Sequence, residues 1–228
     1  MNRIGDSLAG KRVLITQSET FMGPILCKVF AAHRAVVIAD DRDLTTPQGA
    51  REAVERAGHV DVLIGNLAAP APYTKAHEVT DEEWRSVFAH LVDPLPRLCR
   101  AVLPQMMARK AGKIVVMGSA TALRGQKRVS TYSAARGAQV SYVRAVGTEV
   151  APLNVQVNLI AQNFVENPTY YSPEVQALPG FQERLAREVP LGRLATPEED
   201  ALFAVFLASS EIGFFVGQSI PFSGGWVT

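Results

Sequence analysis

The 228-residue chain is poor in whatever would mark it as secreted, membrane-spanning or nucleic-acid-binding. Its two cysteines, Cys27 and Cys99, are too few for a disulfide framework, and both fall in apolar, helix-like segments that suit buried free thiols. No run of 18 apolar residues occurs, and residues 1–7 contain no apolar h-region. The expectation is a soluble, cytoplasmic protein without disulfides. Lys+Arg 23 against Asp+Glu 22 leaves a net charge of +1 and no basic tract, so neither nucleic acid nor a membrane is expected as a partner. His33, His59, His77 and His90 stand at no metal-ligand spacing, so no metal site is expected. There is no repeat, low-complexity segment or linker, and 47% hydrophobic residues are ample for one core.

What is present is alternation. Short Val/Ile-rich runs at 12–16, 35–40, 60–65, 113–118, 155–160 and 218–222 read as buried parallel strands. Helical spacing of apolar residues fills 22–34, 47–57, 81–109, 131–151 and 197–209. Thr80 with Glu83 forms a capping box for the third helix, and Pro197 after Thr196 suits a first helical turn. The fold class is therefore α/β: a Rossmann-like, doubly wound parallel sheet in a single domain. One irregular stretch, 162–180, is long enough to be a binding loop. Ligands of such sheets bind beyond the carboxyl ends of the strands, which singles out the segments after Thr16, Gly65, Gly118 and Ile160.

The segment after Thr16 lacks glycine where a dinucleotide would need it. It reads Thr16-Gln17-Ser18-Glu19-Thr20-Phe21-Met22-Gly23, so Gln17 and Phe21 hold the places at which glycine lets backbone approach a pyrophosphate. A ring at Phe21 obstructs that path, and Glu19 adds an unfavourable anion. No nicotinamide cofactor is expected. Asp40, Asp41 and Asp43 after the second strand then read as a solvated loop.

Ser119 follows the fourth strand, Tyr132 lies thirteen positions on, and Arg136 sits one helical turn beyond Tyr132 on the same face. A free phenol, with a pKa of about 10, is a poor base at neutral pH. A cation one turn away and the helix N-terminus both favour the phenolate. With Ser119 donating to an oxygen held beside Tyr132, the three can take a proton from a substrate hydroxyl.

Thr-x4-Phe-x-Gly and Ser-x12-Tyr-x3-Arg resemble, as a pair, the signatures of halohydrin dehalogenases, relatives of the short-chain dehydrogenase/reductases. The latter carry Thr-Gly-x-x-x-Gly-x-Gly and Ser…Tyr-x-x-x-Lys at these places. Asn66, Val216-Gly217-Gln218 and Ser223-Gly224-Gly225 extend the likeness to the whole chain, while the proton-relay asparagine aligns with Leu91. The Leu-Ala-Gly-Lys-Arg-Val-Leu start at 8–14 and Val-Pro-Leu-Gly-Arg-Leu-Ala at 189–195 are most similar to the B-type branch.

The resemblance implies a cofactor-independent carbon–halogen lyase that converts vicinal haloalcohols to epoxides. In reverse it implies epoxide opening by azide, cyanide or nitrite. It puts Phe21, Gln162, Asn163 and Phe164 at the halide or nucleophile site, with backbone N–H groups of that loop and aromatic edges as donors. Tyr170 and Tyr171 would close the pocket over the substrate. It also implies a homotetramer packed through helices 81–109 and 131–151. Val140, Val143, Val146 and Val150 would suit that interface or the sheet equally. Two other readings stand beside it: an NAD(P)-dependent oxidoreductase with an atypical glycine loop, and a non-catalytic member of the fold.

Overall fold

Each of the short apolar runs becomes a strand. In the computed structural model, which describes residues 8–228, β1 is Arg12–Thr16, β2 Val36–Asp40, β3 Val62–Asn66, β4 Gly112–Met117, β5 Val155–Gln162 and β6 Ser219–Phe222. The leader-free reading of residues 1–7 lies outside the described residues. All pairings are parallel, in the order β2-β1-β3-β4-β5-β6. The single-domain α/β architecture is the expected one.

Alternation along the strands loads both faces of the sheet. Leu14, Leu63, Ile114, Val116, Val157 and Leu159 point to one side, under helices α2 (Pro47–Ala57), α4 (Pro94–Ala108) and α5 (Ser130–Val150). Val13, Ile15, Val62, Ile64, Val115 and Met117 point to the other, under α1 (Gly23–Ala32) and α8 (Pro197–Ala208). Val140, Val143 and Val150 belong to the first core, with Val146 packed against it, so the valine stripe serves the sheet. Cys99 is buried and its thiol is pushed up to about 12 by that burial, whereas Cys27 is only half-buried; both are free. Among the described residues no helix is long and apolar enough to cross a membrane, and no cluster of His, Cys, Asp or Glu could hold a metal.

Three local features differ from the sequence reading. The helix expected over 81–109 is two, α3 (Asp81–Leu91) and α4, because Pro94 has no N–H for the next turn and crowds the residue before it. Thr80 caps α3 by accepting from Glu83 N–H at 3.1 Å, but the Glu83 carboxylate turns away to the hydroxyls of Thr74 (2.6 Å) and Thr131 (2.7 Å), so the box is half closed. The complete capping box is at α8, where Thr196 and Glu199 exchange bonds. The stretch 162–180 is not wholly irregular: Gln162 is the last residue of β5, and two short helices, α6 (Pro173–Gln176) and α7 (Phe181–Glu188), follow. Phe181 and Leu185 of α7 are buried against Phe164 and Trp226.

Candidate active site

The chain reverses direction across the sheet between β1 and β3, and the crevice beyond their carboxyl ends is the usual ligand site of such folds. Here it is bridged from within. Gln17 Oε1 accepts from Ala68 N–H at 2.5 Å, and Gln17 Nε2 donates to Ala68 carbonyl at 3.4 Å. Asn66, fully buried at the end of β3, donates to the carbonyls of Gln17 (2.9 Å) and Thr20 (3.2 Å) and ties the turn down.

The turn keeps the backbone of a glycine-rich loop without its glycines. Gln17 and Phe21 have φ of 46° and 52°, the left-handed region that costs a side-chain-bearing residue about 1–2 kcal/mol. Gly23 remains because a Cβ there would meet Gln17 carbonyl at 2.2 Å. Carboxylates fill the rest. Asp41 accepts from Glu19 N–H at 3.0 Å and from the Ser18 hydroxyl, placing an anion on the donors a phosphate would use. Asp40 is not solvated: it is 2% exposed, with Arg42 at 3.4 Å and Arg56 at 3.7 Å. Asp41 and Asp43 are exposed, as expected of a solvated loop, and Asp43 accepts from Thr45 N–H at 2.9 Å. These residues do not fit a nicotinamide dinucleotide.

Beyond β4, Ser119 stands in extended backbone, with Thr121 hydroxyl 2.9 Å from its own. Tyr132 and Arg136, on the first turns of α5, are buried at 7% and 2% exposure. The Arg136 guanidinium lies 5.0 Å from the Tyr132 ring centre. Its Nη1 donates to Met117 carbonyl at 3.1 Å and to Gln139 Oε1 at 3.0 Å, while Nε has no partner. Among the described residues no carboxylate pairs with Arg136, so this buried cation is uncompensated.

Ser119 and Tyr132 share a small cavity of ≈ 40 Å3 with Phe21, Gln162, Asn163, Phe164, Tyr170 and Tyr171. That volume takes a guest of a few atoms, and Ser119, Tyr132, Asn163, Phe164, Tyr170 and Tyr171 also line an adjoining space of ≈ 120 Å3. Eight of the nine residues singled out in the sequence thus line one cavity; the ninth, Arg136, flanks it and lines a neighbouring space of ≈ 330 Å3 with Tyr132, Phe21 and Gln17. Tyr170 meets Phe21 edge-on at 6.0 Å, and Tyr171 stacks on Phe164 at 5.6 Å. Burial holds the Tyr170 phenol up at about 12, and its oxygen accepts from Ala71 N–H (2.8 Å) while donating to Ala69 carbonyl (3.2 Å). Tyr170 is therefore a fixed wall. Tyr171 donates to Asn163 Oδ1 at 3.3 Å, and burial raises its phenol as well.

Two of the backbone donors expected in this loop are spent elsewhere. Phe164 N–H is spent on Asn163 Oδ1 at 2.9 Å and Asn163 N–H on Phe222 carbonyl at 3.0 Å, because β5 runs on to Gln162 and Phe164 must turn with φ of 55°. Among the side chains, Asn163 Nδ2 has no described acceptor, and Gln162 Oε1 is buried without a partner. Sequence reasoning missed three supports. Thr121 pairs with Ser119; Asn167 Oδ1 accepts from the N–H groups of Thr169 (3.0 Å) and Tyr170 (2.8 Å); Gln139 holds Arg136. The Asn-Pro step at 167–168 and the i,i+3 spacing of Arg136 and Gln139 were the available signals.

A family model described as enoyl-(acyl carrier protein) reductase matches residues 27–227. A 3-oxoacyl-[acyl-carrier-protein] reductase from Chlamydia muridarum is 30% identical over 195 residues, 84% of this chain and 75% of that one. The chain is a short-chain dehydrogenase/reductase. Within the superfamily its structure is similar to that of a protein described as a dehalogenation enzyme, with TM-score 0.88 and 31% identity over 97% of this chain and 100% of the other. It is also similar to a halohydrin dehalogenase bound to ethyl (2S)-oxiran-2-ylacetate, with TM-score 0.86 and 26% identity over 96% and 98% of the two chains. This short-chain dehydrogenase/reductase is thus similar in sequence, at 30% and 31% identity, both to a reductase and to a protein described as a dehalogenation enzyme.

Proposed function

We propose that the protein is a cofactor-independent halohydrin dehalogenase. The observation that carries the reading is the ≈ 40 Å3 cavity in which Phe21, from a turn closed to dinucleotides, meets Ser119 and Tyr132. Ser119 holds the substrate hydroxyl, and Tyr132 takes its proton. Arg136, buried against the ring without a carboxylate, stabilises negative charge on the phenol oxygen. The alkoxide oxygen then attacks the neighbouring carbon from the side opposite the halogen. The C–O bond of the epoxide forms as the C–X bond breaks, and the halide leaves with the bonding pair. The Phe21, Phe164 and Tyr171 edges and the Asn163 amide line the space that receives it. Reversal opens an epoxide with a small anion in the same place.

The test is halide release from 1,3-dichloro-2-propanol with no nicotinamide added. Steady release supports the reading; its absence with several chloro- and bromo-alcohols defeats it. A reductase reading has the sequence relatives in its favour. It predicts that saturating NADH or NADPH raises the melting temperature, which the bridged crevice and the Asp41 carboxylate oppose.

A further inference from the structure

The break between α3 and α4 reaches the catalytic cation through one side chain. In an unbroken helix the Leu91 carbonyl would accept from Leu95 N–H, but Leu95 N–H donates to Val92 carbonyl at 3.2 Å. The orphaned Leu91 carbonyl accepts instead from Gln139 Nε2 at 2.5 Å. The other end of that carboxamide accepts from Arg136 Nη1 at 3.0 Å, and Nη1 also reaches Met117 carbonyl at 3.1 Å. Gln139 is 1% exposed, and both of its polar ends are used. A continuous chain of bonds thus runs from Leu91 through Gln139 to Arg136 and on to β4.

We infer that Gln139 is a positioning residue that clamps the Arg136 guanidinium against Tyr132 while adding no charge of its own. Neutrality matters because Arg136 has no carboxylate partner among the described residues. A carboxylate at the same distance would pair with the guanidinium and cancel the field it exerts on the phenol oxygen. The inference rests on Tyr132 and Arg136 acting as proposed above. Of the other ionisable groups near the pair, Tyr73 lines the adjoining space and is exposed, and the rest have bonds of their own. Tyr170 is held neutral, its phenol pushed up to about 12 by burial; the Glu83 carboxylate is committed to Thr74 and Thr131; and His90, on the exposed side of α3, bonds Ser86 carbonyl.

The experiment reads Tyr132 directly. Tyrosinate absorbance is titrated in the whole protein and in the Tyr132→Phe variant, and the difference isolates the Tyr132 step. Gln139→Glu keeps the shape and the acceptor while adding a charge, and should move that step to higher pH by about one unit or more. The acid limb of halide release should move with it, with kcat falling more than KM rises. Gln139→Met, which removes both bonds and adds no charge, should move the step in the same direction by less. A step that stays at the wild-type pH in whichever of these variants folds, while Arg136→Met displaces it, overturns the clamp. Failure of the wild-type protein to release halide would instead sink the dehalogenase reading and leave the titration to decide on Gln139.

Discussion

The turn after β1 and the junction of β4 with α5 face each other across one small cavity, and they depart from the reductase pattern in opposite ways. In the turn the backbone is kept and the side chains are replaced. Gln17 and Phe21 accept left-handed φ values of 46° and 52°, and Gly23 still makes the close approach. At the junction Ser119 and Tyr132 are kept, and the cation beside them is an arginine whose Nη1 bonds both Met117 and Gln139. The turn shows that a ligand site can be closed without remodelling a fold, by filling its space and satisfying its donors from within. On the proposed reading, the junction keeps a proton-transfer device beside that closed turn, because its parts hang on a different strand and helix.

The largest expected effect breaks the junction alone. Tyr132→Phe removes the proton acceptor, and halide release should fall by about 10²–10⁴-fold. The hydroxyl makes no hydrogen bond with a described group, so the melting temperature should barely move. A variant retaining a tenth of wild-type activity would show that another group takes the proton. Arg136→Lys comes next. A compact ammonium on a shorter, flexible stem does not place its nitrogen where Nη1 meets Met117 and Gln139 with the guanidinium plane beside the Tyr132 ring, and activity should drop by about 10–100-fold. Because the turn is untouched, this variant should gain no protection from NADH in a thermal melt. If it did gain protection, the cation and not the turn would be what excludes the dinucleotide.

The strands and the order of elements were legible in the residues, because strand periodicity reports directly on burial, and Ser119 and Tyr132 were legible from side-chain type and spacing; the other members of the cavity came with the family resemblance. The sequence could not show that β5 would run to Gln162 and thereby spend the Asn163 and Phe164 amides, since strand ends are set by pairing with β6. It marked Pro94 inside a helical pattern, yet the consequence, a carbonyl freed for Gln139, is a contact 48 residues apart in sequence. Asp40 and Asp41 read as solvated because acids after a strand usually are; Asp40 is buried, and Asp41, though exposed, is engaged. Their partners, Arg56 and the Ser18-Glu19 corner, come from elements that only the folded sheet brings near.

On the turn's side of the cavity, Phe21→Ala should act on the halide more than on the proton. The ring meets Tyr170 edge-on at 6.0 Å, and removing it forfeits an aromatic wall worth about 0.5–1.5 kcal/mol beyond its area. Inhibition by added bromide should weaken by about threefold to tenfold, with the pH profile unchanged. A shifted profile would mean that the turn and the junction are one electrostatic unit.

The smallest effect separates two tyrosines in one cavity. Tyr170→Phe leaves Ala71 N–H and Ala69 carbonyl without the phenol that joins them, which should cost about 1–3 kcal/mol of stability. The wild-type phenol, raised to about 12 by burial, is protonated at every pH at which the enzyme is assayed, so it neither gains nor loses charge there. In the direction of linkage, a phenol ionising near 10 when unfolded and about 12 when folded lowers stability only as pH rises through that window. The acid limb of halide release in Tyr170→Phe should therefore superimpose on that of the wild type, with activity reduced by no more than about tenfold through a looser wall. A displaced limb would assign Tyr170 a share of the proton that its two backbone bonds argue against.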